Sequence, residues 1–465
     1  MKITLVTAGL VMAAFGVTTT ASAQSPAAKA APFRLVTLDP GHFHAALVQK
    51  NMYPTVDPTV YVYAPDGPDV GFHLDRIRSY NARKDNPTRW QEKLYTGPDF
   101  MAKMLAERPG NVVVMAGNNG KKTEYIRQSV GAGLHVLADK PMAIDGRDFD
   151  LLRQSFAVAA KKNVLLYDIM TERFEITTML QREFSRLPAV FGTLEKGTPD
   201  NPAITKESVH HFYKYVSGSV LTRPAWFMDV TQQGEGIVDV TTHLVDLVQW
   251  EAFPEQVLDY RRDVRLTSAR RWTTDMSRAE FQSITKLPDF PEYLKKDVQN
   301  DVLKVYSNGE INYQLRGVHA RVSVIWAFKA PEGAGDTHYS IMRGTKANLV
   351  IRQGAEQQYK PTLYVEAVGD EQALAASLTA SMKAVEQKYP GVTLKKLAKG
   401  WQVMVPESYN EGHEAHFGRV MENYLKYLSA GKLPAWEVPN MLTKYYTTTR
   451  ALELARQSAA AGTGN

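Results

Sequence analysis

The chain has 465 residues, of which 44% are hydrophobic and 22% charged, a composition typical of globular proteins with about two or three domains. Its net charge of +6 is spread along the sequence, and the absence of any basic run of about five or six residues disfavours a nucleic-acid partner. Cysteine is absent, which excludes disulfides, thiolate metal sites and a cysteine nucleophile.

The N-terminus has the pattern of an export signal. Met1-Lys2 supplies a basic start, Leu5 to Val17 an apolar stretch, and Ala21-Ser22-Ala23 a small-residue cleavage site. We expect residues 1–23 to be removed on export, residues 24–32 to form a flexible lead-in, and the mature protein to be periplasmic. No other stretch approaches about 18 apolar residues, so no membrane span is expected after cleavage.

From Phe33 onward, short apolar runs alternate with longer amphipathic segments. The pattern predicts strands at 33–38, 59–64, 111–115, 134–138 and 164–167, and helices at 42–50, 100–107, 122–132 and 146–162. Strands that alternate with helices form right-handed βαβ units around a parallel sheet, which binds its ligand at the carboxyl ends of the strands. Residues 33–170 are therefore predicted to form an α/β domain with a doubly wound, Rossmann-like sheet.

The character of the sequence changes after about residue 175. Strand-like segments at 310–315, 319–328 and 349–352 follow one another without regular helices between them, which is typical of an antiparallel sheet. Helices are predicted at 371–389, 416–430 and 440–458. Residues 171–465 are thus predicted to form an α+β domain for substrate binding and oligomerisation, with a mainly antiparallel sheet and closing helices.

Two short segments, one in each predicted domain, carry residues suited to proton transfer. The segment 133–141 ends an apolar strand on Lys140, which a proline follows, and the segment 234–246 places Asp239 and His243 four positions apart. That spacing puts both side chains on one face if the stretch is helical. A lysine, a carboxylate and an imidazole are groups that can move a proton at a sugar hydroxyl. The alternatives are a solvated lysine at a strand end and a helix-surface Asp–His pair.

These segments and several others resemble the Gfo/Idh/MocA oxidoreductases. In the first domain the matching residues are Asn118-Asn119, Ala132 to Val136 and Asp139-Lys140-Pro141. In the second domain they are Arg223-Pro224-Ala225-Trp226, Gly234 to Asp246 and the turn Arg343 to Lys346. The resemblance covers roughly residues 33–355, whereas the segment near 356–412 has no clear counterpart.

The resemblance implies a function for the whole chain. It implies an enzyme that binds NAD or NADP on the first domain and oxidises or reduces a hydroxyl of a sugar, glycoside or polyol. It also implies a homo-oligomer that associates through the C-terminal sheet. The residues implied for proton transfer are Lys140, Asp239 and His243, and those near the substrate are Arg223, Trp226, His210 and His211. The last two, being adjacent, could equally lie on a surface loop.

The loop after the first strand departs from the family. The dinucleotide fingerprint G-x-G-x-x-G aligns with Asp39-Pro40-Gly41-His42-Phe43-His44, in which only the middle glycine remains. We expect Asp39 to turn away from any phosphate and to cap the following helix. The expected dinucleotide contacts are Gly41, His42, Phe43, His44, Asp66, Asn118, Asn119, Asp139 and Lys140.

Three interpretations of this loop stay open. It can be read as a dinucleotide loop in which His42 or His44 contacts phosphate. It can also be read as a metal site built from Asp39, His42, His44 and His73, or as a loop whose histidines only pack or cap. No metal is assigned from the sequence.

The altered loop leaves two further functions open for the chain. One is a non-redox lyase or hydrolase of an already oxidised sugar, with Lys140 and His243 transferring protons. The other is a glycan-binding protein that kept the fold and lost the cofactor, because fold alone does not decide function. Since little free dinucleotide is expected outside the cytoplasm, any bound cofactor would have to be tightly retained.

Overall fold

The structure is a computed structural model that describes residues 32–216 and 219–462. The predicted export signal and nearly all of the lead-in lie outside these ranges. Within them, no helix is both long enough and apolar enough to cross a membrane. The first domain contains β1 (Leu35–Leu38), α1 (His44–Val48), β2 (Thr59–Ala64), α2 (Pro68–Ala82), β3 (Gln91–Thr96), α3 (Phe100–Glu107), β4 (Val112–Met115), α4 (Asn119–Gly131), β5 (His135–Asp139), α5 (Gly146–Lys162) and β6 (Leu166–Ile169).

The strands of the first domain form an all-parallel sheet in the order β3-β2-β1-β4-β5-β6. Every residue of β1 and β4 is buried, as expected of parallel strands covered on both faces by helices. The strand order reverses between β1 and β4, and an open α/β sheet binds ligands at such a reversal. The predicted Rossmann-like fold class is confirmed.

The second domain begins after β6. Its elements are α6 (Ile176–Ser185), β7 (Ile204–Tyr213), β8 (Tyr215–Val216), β9 (Ser219–Val220), α7 (Val230–Gln233), α8 (Thr241–Ala252), α9 (Tyr260–Asp263), β10 (Val264–Ser277), α10 (Arg278–Thr285), β11 (Val298–Gln299), β12 (Val302–Leu315), β13 (Val318–Lys329), β14 (Thr337–Arg343), β15 (Ala347–Arg352), β16 (Thr362–Ala367), α11 (Glu371–Lys388), β17 (Thr393–Lys396), β18 (Trp401–Met404), α12 (His413–Ala430) and α13 (Glu437–Gly462).

A large mixed sheet organises this domain. Its described strands run in the order β10-β12-β13-β7-β14-β15-β16-β18-β17, and β11 pairs with β12. β7 and β13 are parallel, while the other neighbours are antiparallel, so the predicted mainly antiparallel sheet is confirmed. The segment near 356–412, which had no counterpart in the resemblance, supplies β16, α11, β17 and β18 and lengthens this sheet.

The closing helices return to the first domain. Phe417, Met421 and Tyr424 of α12 are buried in the hydrophobic core that also contains β1, β4 and β5. The Tyr424 hydroxyl lies 3.0 Å from each of the carbonyl oxygens of Val136, in β5, and Leu165, which directly precedes β6. The sequence interpretation had grouped these helices with the second domain, whereas the structure packs α12 against the first.

A buried ion cluster joins the two domains to the last helix. Arg173, just after β6, donates to Asp246 of α8 at 2.6 and 2.7 Å and to Glu437 at 2.9 Å. Lys444 of α13 donates to Asp246 and Asp168, at 2.7 Å in each case. Burial opposes ionisation of Asp246, but Arg173 and Lys444 outweigh it and hold its pKa below the ordinary value. The five residues of this buried ion cluster are Asp168, Arg173, Asp246, Glu437 and Lys444.

We expect Asp246→Asn to destabilise the protein by about 3–5 kcal/mol, because losing one partner leaves buried cations uncompensated. Chemical denaturation at pH 7 measures this loss. Glu255→Gln is the control, since its carboxylate pairs with Arg182 at 3.3 Å at an exposed position and should matter by less than about 1 kcal/mol. Equal midpoints for wild type and Asp246→Asn would contradict the role given to the cluster.

Glu92 of β3 is a largely buried carboxylate with an incomplete set of partners. Gln49 donates to one oxygen at 2.7 Å, and the other oxygen has no partner among the described residues. Burial raises the pKa of Glu92 from 4.5 to about 7. Because the folded-state pKa is the higher one, the stability cost is absent below the unfolded pKa, grows as the pH rises between the two values, and is complete above the folded pKa.

Glu92→Gln should therefore raise the thermal midpoint clearly at pH 8 and much less at pH 5. The amide keeps the bond to Gln49 but never has to ionise. Thermal denaturation of both proteins at the two pH values measures the difference. A gain of equal size at pH 5 and pH 8 would show that ionisation of this carboxylate is not the cause.

Candidate active site

A cavity of about 1420 Å³ lies where the carboxyl edge of the parallel sheet faces the second domain. All eleven histidines of the chain lie within the described ranges, and eight of them line this cavity. Most of the cavity wall comes from the second domain, including β7, α8 and the start of α12, while the first domain supplies the loops after β1 and β5. The eight histidines are His42, His44, His210, His211, His243, His338, His413 and His416.

Lys140 and Asp239 form a buried ion pair across the two domains. Lys140 directly follows β5 and is joined to Pro141 by a cis peptide bond. Its Nζ donates to Asp239 Oδ1 at 2.5 Å, and the two side chains are only 9% and 6% exposed. Asp239 lies in the turn before α8, where Gln233 donates to its other oxygen at 3.1 Å. The solvated lysine and the helix-surface pair are therefore both excluded.

The electrostatics of this pair favour the charged state of the carboxylate. Burial opposes ionisation of Asp239, but the nearby Lys140 charge and the hydrogen bonds outweigh it and lower its pKa below the ordinary value. The arrangement can hold a protonated lysine beside a reacting oxygen.

His243 supplies a neutral imidazole to the same cavity. It lies in the first turn of α8 and is 8% exposed, and its Nδ1 has no hydrogen-bond partner within the described part of the chain. Burial, followed by the Lys140 charge, lowers the pKa of His243 to about 4. The ring is therefore neutral near pH 7, and it belongs to a residue that lines the cavity.

The loop after β1 folds back on the end of β4. Asp39 takes a positive φ of 47°, and His42 N donates to the Ala116 carbonyl at 3.0 Å. Asp39 was expected to cap α1, but the helix begins with no side-chain cap among the described residues. Burial raises the pKa of Asp39, which lies beside Lys121, Asp69 and Tyr125. That expectation is wrong because the left-handed turn sends the carboxylate toward α4.

Gly41, the retained glycine, is covered by an indole ring from the second domain. A Cβ at Gly41 would lie 2.9 Å from Trp226 Cζ2 and 3.2 Å from Asp69 Oδ2. Trp226 is fixed there because its Nε1 donates to Asp69 Oδ2 at 2.8 Å. Trp226 was expected to contact substrate, but it lies over the loop and not among the described residues that line the cavity.

His42 and His44 both face Asp139. Asp139 Oδ2 lies 3.4 Å from His42 Nδ1 and 2.9 Å from His44 Nδ1. Neither Asp39 nor His73 joins them among the groups that could hold an ion in the described chain. His73 is buried on α2, and neither ring nitrogen has a partner among the described residues. The predicted grouping of Asp39, His42, His44 and His73 is therefore not assembled.

Of the other residues expected to contact the cofactor, two join the domains, one is exposed and one packs against the core. Asn118 caps α4 and donates to Gln232 Oε1 at 2.7 Å, and Asn119 donates to the Gln233 carbonyl at 2.7 Å, so both asparagines join the domains. Asp66 is exposed just after β2, at the position where a ribose-binding carboxylate would lie. Phe43 packs against the first-domain core.

Arg223 and the two adjacent histidines lie on the second-domain wall. Arg223 is buried and donates to the carbonyls of Phe212 and His211 at 2.7 and 3.1 Å, and burial lowers its pKa to about 10. His210 and His211 belong to β7, so the surface-loop alternative is wrong. Their Nδ1 atoms lie 3.2 and 3.1 Å from Asp336, a residue that sequence reasoning missed.

Sequence reasoning also missed His338 and Glu172. His338 Nε2 is buried without a partner among the described residues, and Glu172 lies 3.3 Å from His413. His416 is 7% exposed and also lines the cavity. No local signal marks these residues, because they come from separate elements that only the tertiary fold brings together.

The comparisons with known proteins place the chain in a family. The family model described as "Putative oxidoreductase C terminal domain" matches residues 180–456. A crystal structure described as a "putative oxidoreductase" from Parabacteroides merdae is 60% identical, with a TM-score of 0.91 over 94% of this chain and 100% of that one. The chain belongs to the Gfo/Idh/MocA-type oxidoreductases. The resemblance drawn from the sequence is confirmed.

More distant structures share the fold of this Gfo/Idh/MocA oxidoreductase. Levoglucosan dehydrogenase, in complex with NADH and L-sorbose, is 12% identical with a TM-score of 0.59 over 91% of this chain and 97% of that one. Biliverdin reductase from Synechocystis sp. PCC 6803, in complex with biliverdin and NADP+, is 11% identical with a TM-score of 0.54, over 91% and 99% of the two chains. No curated protein matches the sequence.

The residues at the sheet edge of this Gfo/Idh/MocA oxidoreductase fit a dinucleotide at its nicotinamide end. Lys140 lies at the end of β5, and His243 lines the same cavity. At the other end, Trp226 fills the space beside Gly41 that a pyrophosphate uses in the fingerprint loop. A dinucleotide can therefore reach the Gly41 backbone only after the indole moves.

Trp226→Ala should tighten NAD+ binding by about tenfold, because the variant no longer has to populate a state with the indole displaced. Isothermal titration calorimetry with NAD+ measures the affinity. Trp272→Ala is the matched control, since Trp272 contacts Arg270 on β10 and is not among the described cavity residues. Weaker binding by Trp226→Ala would mean that the indole supports the dinucleotide and does not obstruct it.

Proposed function

We propose that this protein is an NAD(P)-dependent oxidoreductase that acts on a hydroxyl group of a sugar, glycoside or polyol. The observation that carries the proposal is that the buried Lys140–Asp239 ion pair and the neutral His243 imidazole line one large cavity. The solved relatives with NADH and L-sorbose support the same cofactor and substrate class. The polar lining, with its imidazoles, carboxylates and lysines, suits a ligand with many hydroxyl groups.

Each residue has a distinct role in the proposed oxidation. When bound, the nicotinamide supplies an acceptor for the hydride that leaves the carbinol carbon. The His243 imidazole takes the hydroxyl proton, and the Lys140 ammonium stabilises the negative charge that develops on the oxygen. Asp239 fixes the position of the Lys140 ammonium through their ion pair. In the reverse direction His243 returns the proton to the oxygen of the ketone.

Lys140→Ala should lower turnover by about 10²–10⁴-fold, the range for a lost acid–base group. Turnover is followed by nicotinamide absorbance with a panel of sugars and polyols. Lys329→Ala serves as the control, because Lys329 also lines the cavity but is exposed. Asp239→Asn should lower turnover in the same direction as Lys140→Ala, since it removes the partner of the ammonium.

Three outcomes would overturn the proposal. Unchanged turnover in both Lys140→Ala and His243→Ala would remove the proton-transfer roles. Product formation that needs no nicotinamide, on a keto sugar, would instead favour a lyase or hydrolase. Affinity for a sugar without any product would favour a glycan-binding protein.

We further propose that the enzyme is exported to the periplasm and retains its dinucleotide through each turnover. The support is the N-terminal signal pattern, together with the low supply of dinucleotide expected outside the cytoplasm. N-terminal sequencing of the secreted protein should begin at Gln24. Mass spectrometry of the denatured protein should release about one NAD(H) per chain, whereas none, with no binding on addition, would contradict retention.

A further inference from the structure

His42, His44 and Asp139 form a compact set of potential metal ligands. One potential ligand atom from each residue lies within 4.8 Å of the other two. Among the described residues, this is the group of three or more His, Asp or Glu side chains that lies close enough to share one ion. The two histidines come from the loop after β1, and Asp139 is the last residue of β5. Loops at the same edge of the parallel sheet thus bring together residues far apart in sequence.

The distance between His42 and Asp139 matches that between ligands that share one ion, and His44 forms a hydrogen bond with the same Asp139 oxygen. Zinc binds imidazole nitrogen at about 2.0–2.1 Å and carboxylate oxygen at about 2.0–2.2 Å, so tetrahedral neighbours lie about 3.4 Å apart. The Asp139 Oδ2 atom is 3.4 Å from His42 Nδ1 and 2.9 Å from His44 Nδ1. The ring centroids of the two histidines are 4.0 Å apart.

The neighbouring groups hold these ligands in place. Lys140 N donates to the other Asp139 oxygen at 3.0 Å, which leaves Oδ2 facing the histidines. His44 packs against the Phe417 ring at a centroid distance of 4.5 Å, and His42 is parallel to Phe227 at 6.2 Å. Such surrounding contacts orient ligands and support metal affinity.

The two nearest ammonium groups are directed to other partners. Lys140 Nζ donates to Asp239 at 2.5 Å. Lys122 Nζ donates to the carbonyls of Asp139 and Pro141 and to the Asn119 side chain. Neither ammonium group therefore donates to the Asp139 oxygen that faces the two histidines.

We propose that His42, His44 and Asp139 bind one divalent transition-metal ion of the zinc type, with the remaining coordination positions open to the cavity. Two imidazoles and one carboxylate suit Zn²⁺, Co²⁺ or Fe²⁺ better than Ca²⁺ or Mg²⁺, which prefer oxygen ligands. Because both histidines line the cavity, the open positions accept an oxygen atom of the substrate next to Lys140. The ion acts there as a Lewis acid that positions this oxygen.

This site is tested apart from the proposed dehydrogenase function, because metal binding is measured on the protein without substrate. The whole mature protein is treated with a chelator, dialysed, and titrated calorimetrically with Zn²⁺. Replacement by Co²⁺ then gives a visible absorption spectrum that reports the ligands. We expect one ion per chain, and a loss of at least about 100-fold in affinity in His44→Ala and in Asp139→Asn.

The controls separate this site from other histidines. His319→Ala should bind Zn²⁺ as the wild type does, because His319 contacts Gln314 on the second-domain sheet and is not among the described cavity residues. Should His44→Ala fail to fold, His42→Gln replaces it, and its thermal midpoint should no longer rise with Zn²⁺. No binding by wild type, or binding lost in His413→Ala but kept in His44→Ala, would overturn the assignment.

Discussion

The architecture depends on the buried ion cluster around Arg173. This side chain follows the last parallel strand and binds Asp246 of α8 and Glu437 of α13, so one guanidinium fixes three segments. α8 begins two residues after Asp239 and carries His243, so its position decides where both side chains meet Lys140. Burying charges is costly, and it is tolerated here because every carboxylate of the cluster faces a cation or a hydroxyl. The buried ion cluster, whose five residues are not among the described cavity residues, therefore fixes the positions of Asp239 and His243.

Some helices and strands were predictable because the pattern of apolar residues in their sequence matches the residues that are buried in the fold. β2 and α3 have the bounds that the sequence predicted, since an apolar run or an amphipathic segment is bounded by turn residues. α2 and β3 were not predicted. β3, with the sequence QEKLYT, is an edge strand whose side chains are mostly exposed, so it has no apolar run to detect. α2 is polar overall and buries few residues, among them His73.

The motif residues Lys140, Asp239 and His243 were found because each belongs to a contiguous pattern in the sequence. The cavity histidines were not found as a set, because periodicity tells which face of an element is buried but not which faces meet. His338 comes from β14 and His416 from α12, and neither has a neighbour in sequence that shares its role. Trp226 shows the same limit: its motif predicted a substrate contact, and the fold turned it onto Gly41.

Because α12 packs against the first domain, that N-terminal domain cannot complete its core before the C-terminal residues have been made. A nascent chain usually folds its N-terminal domain first. Here the core beneath β1, β4 and β5 includes Phe417 and Tyr445, so it stays open until nearly the whole polypeptide has been made. Up to that point, the face of the parallel sheet that α12 covers is exposed to chaperones and proteases. The sheet that comes first in the sequence is thus among the last parts of the molecule to be completed.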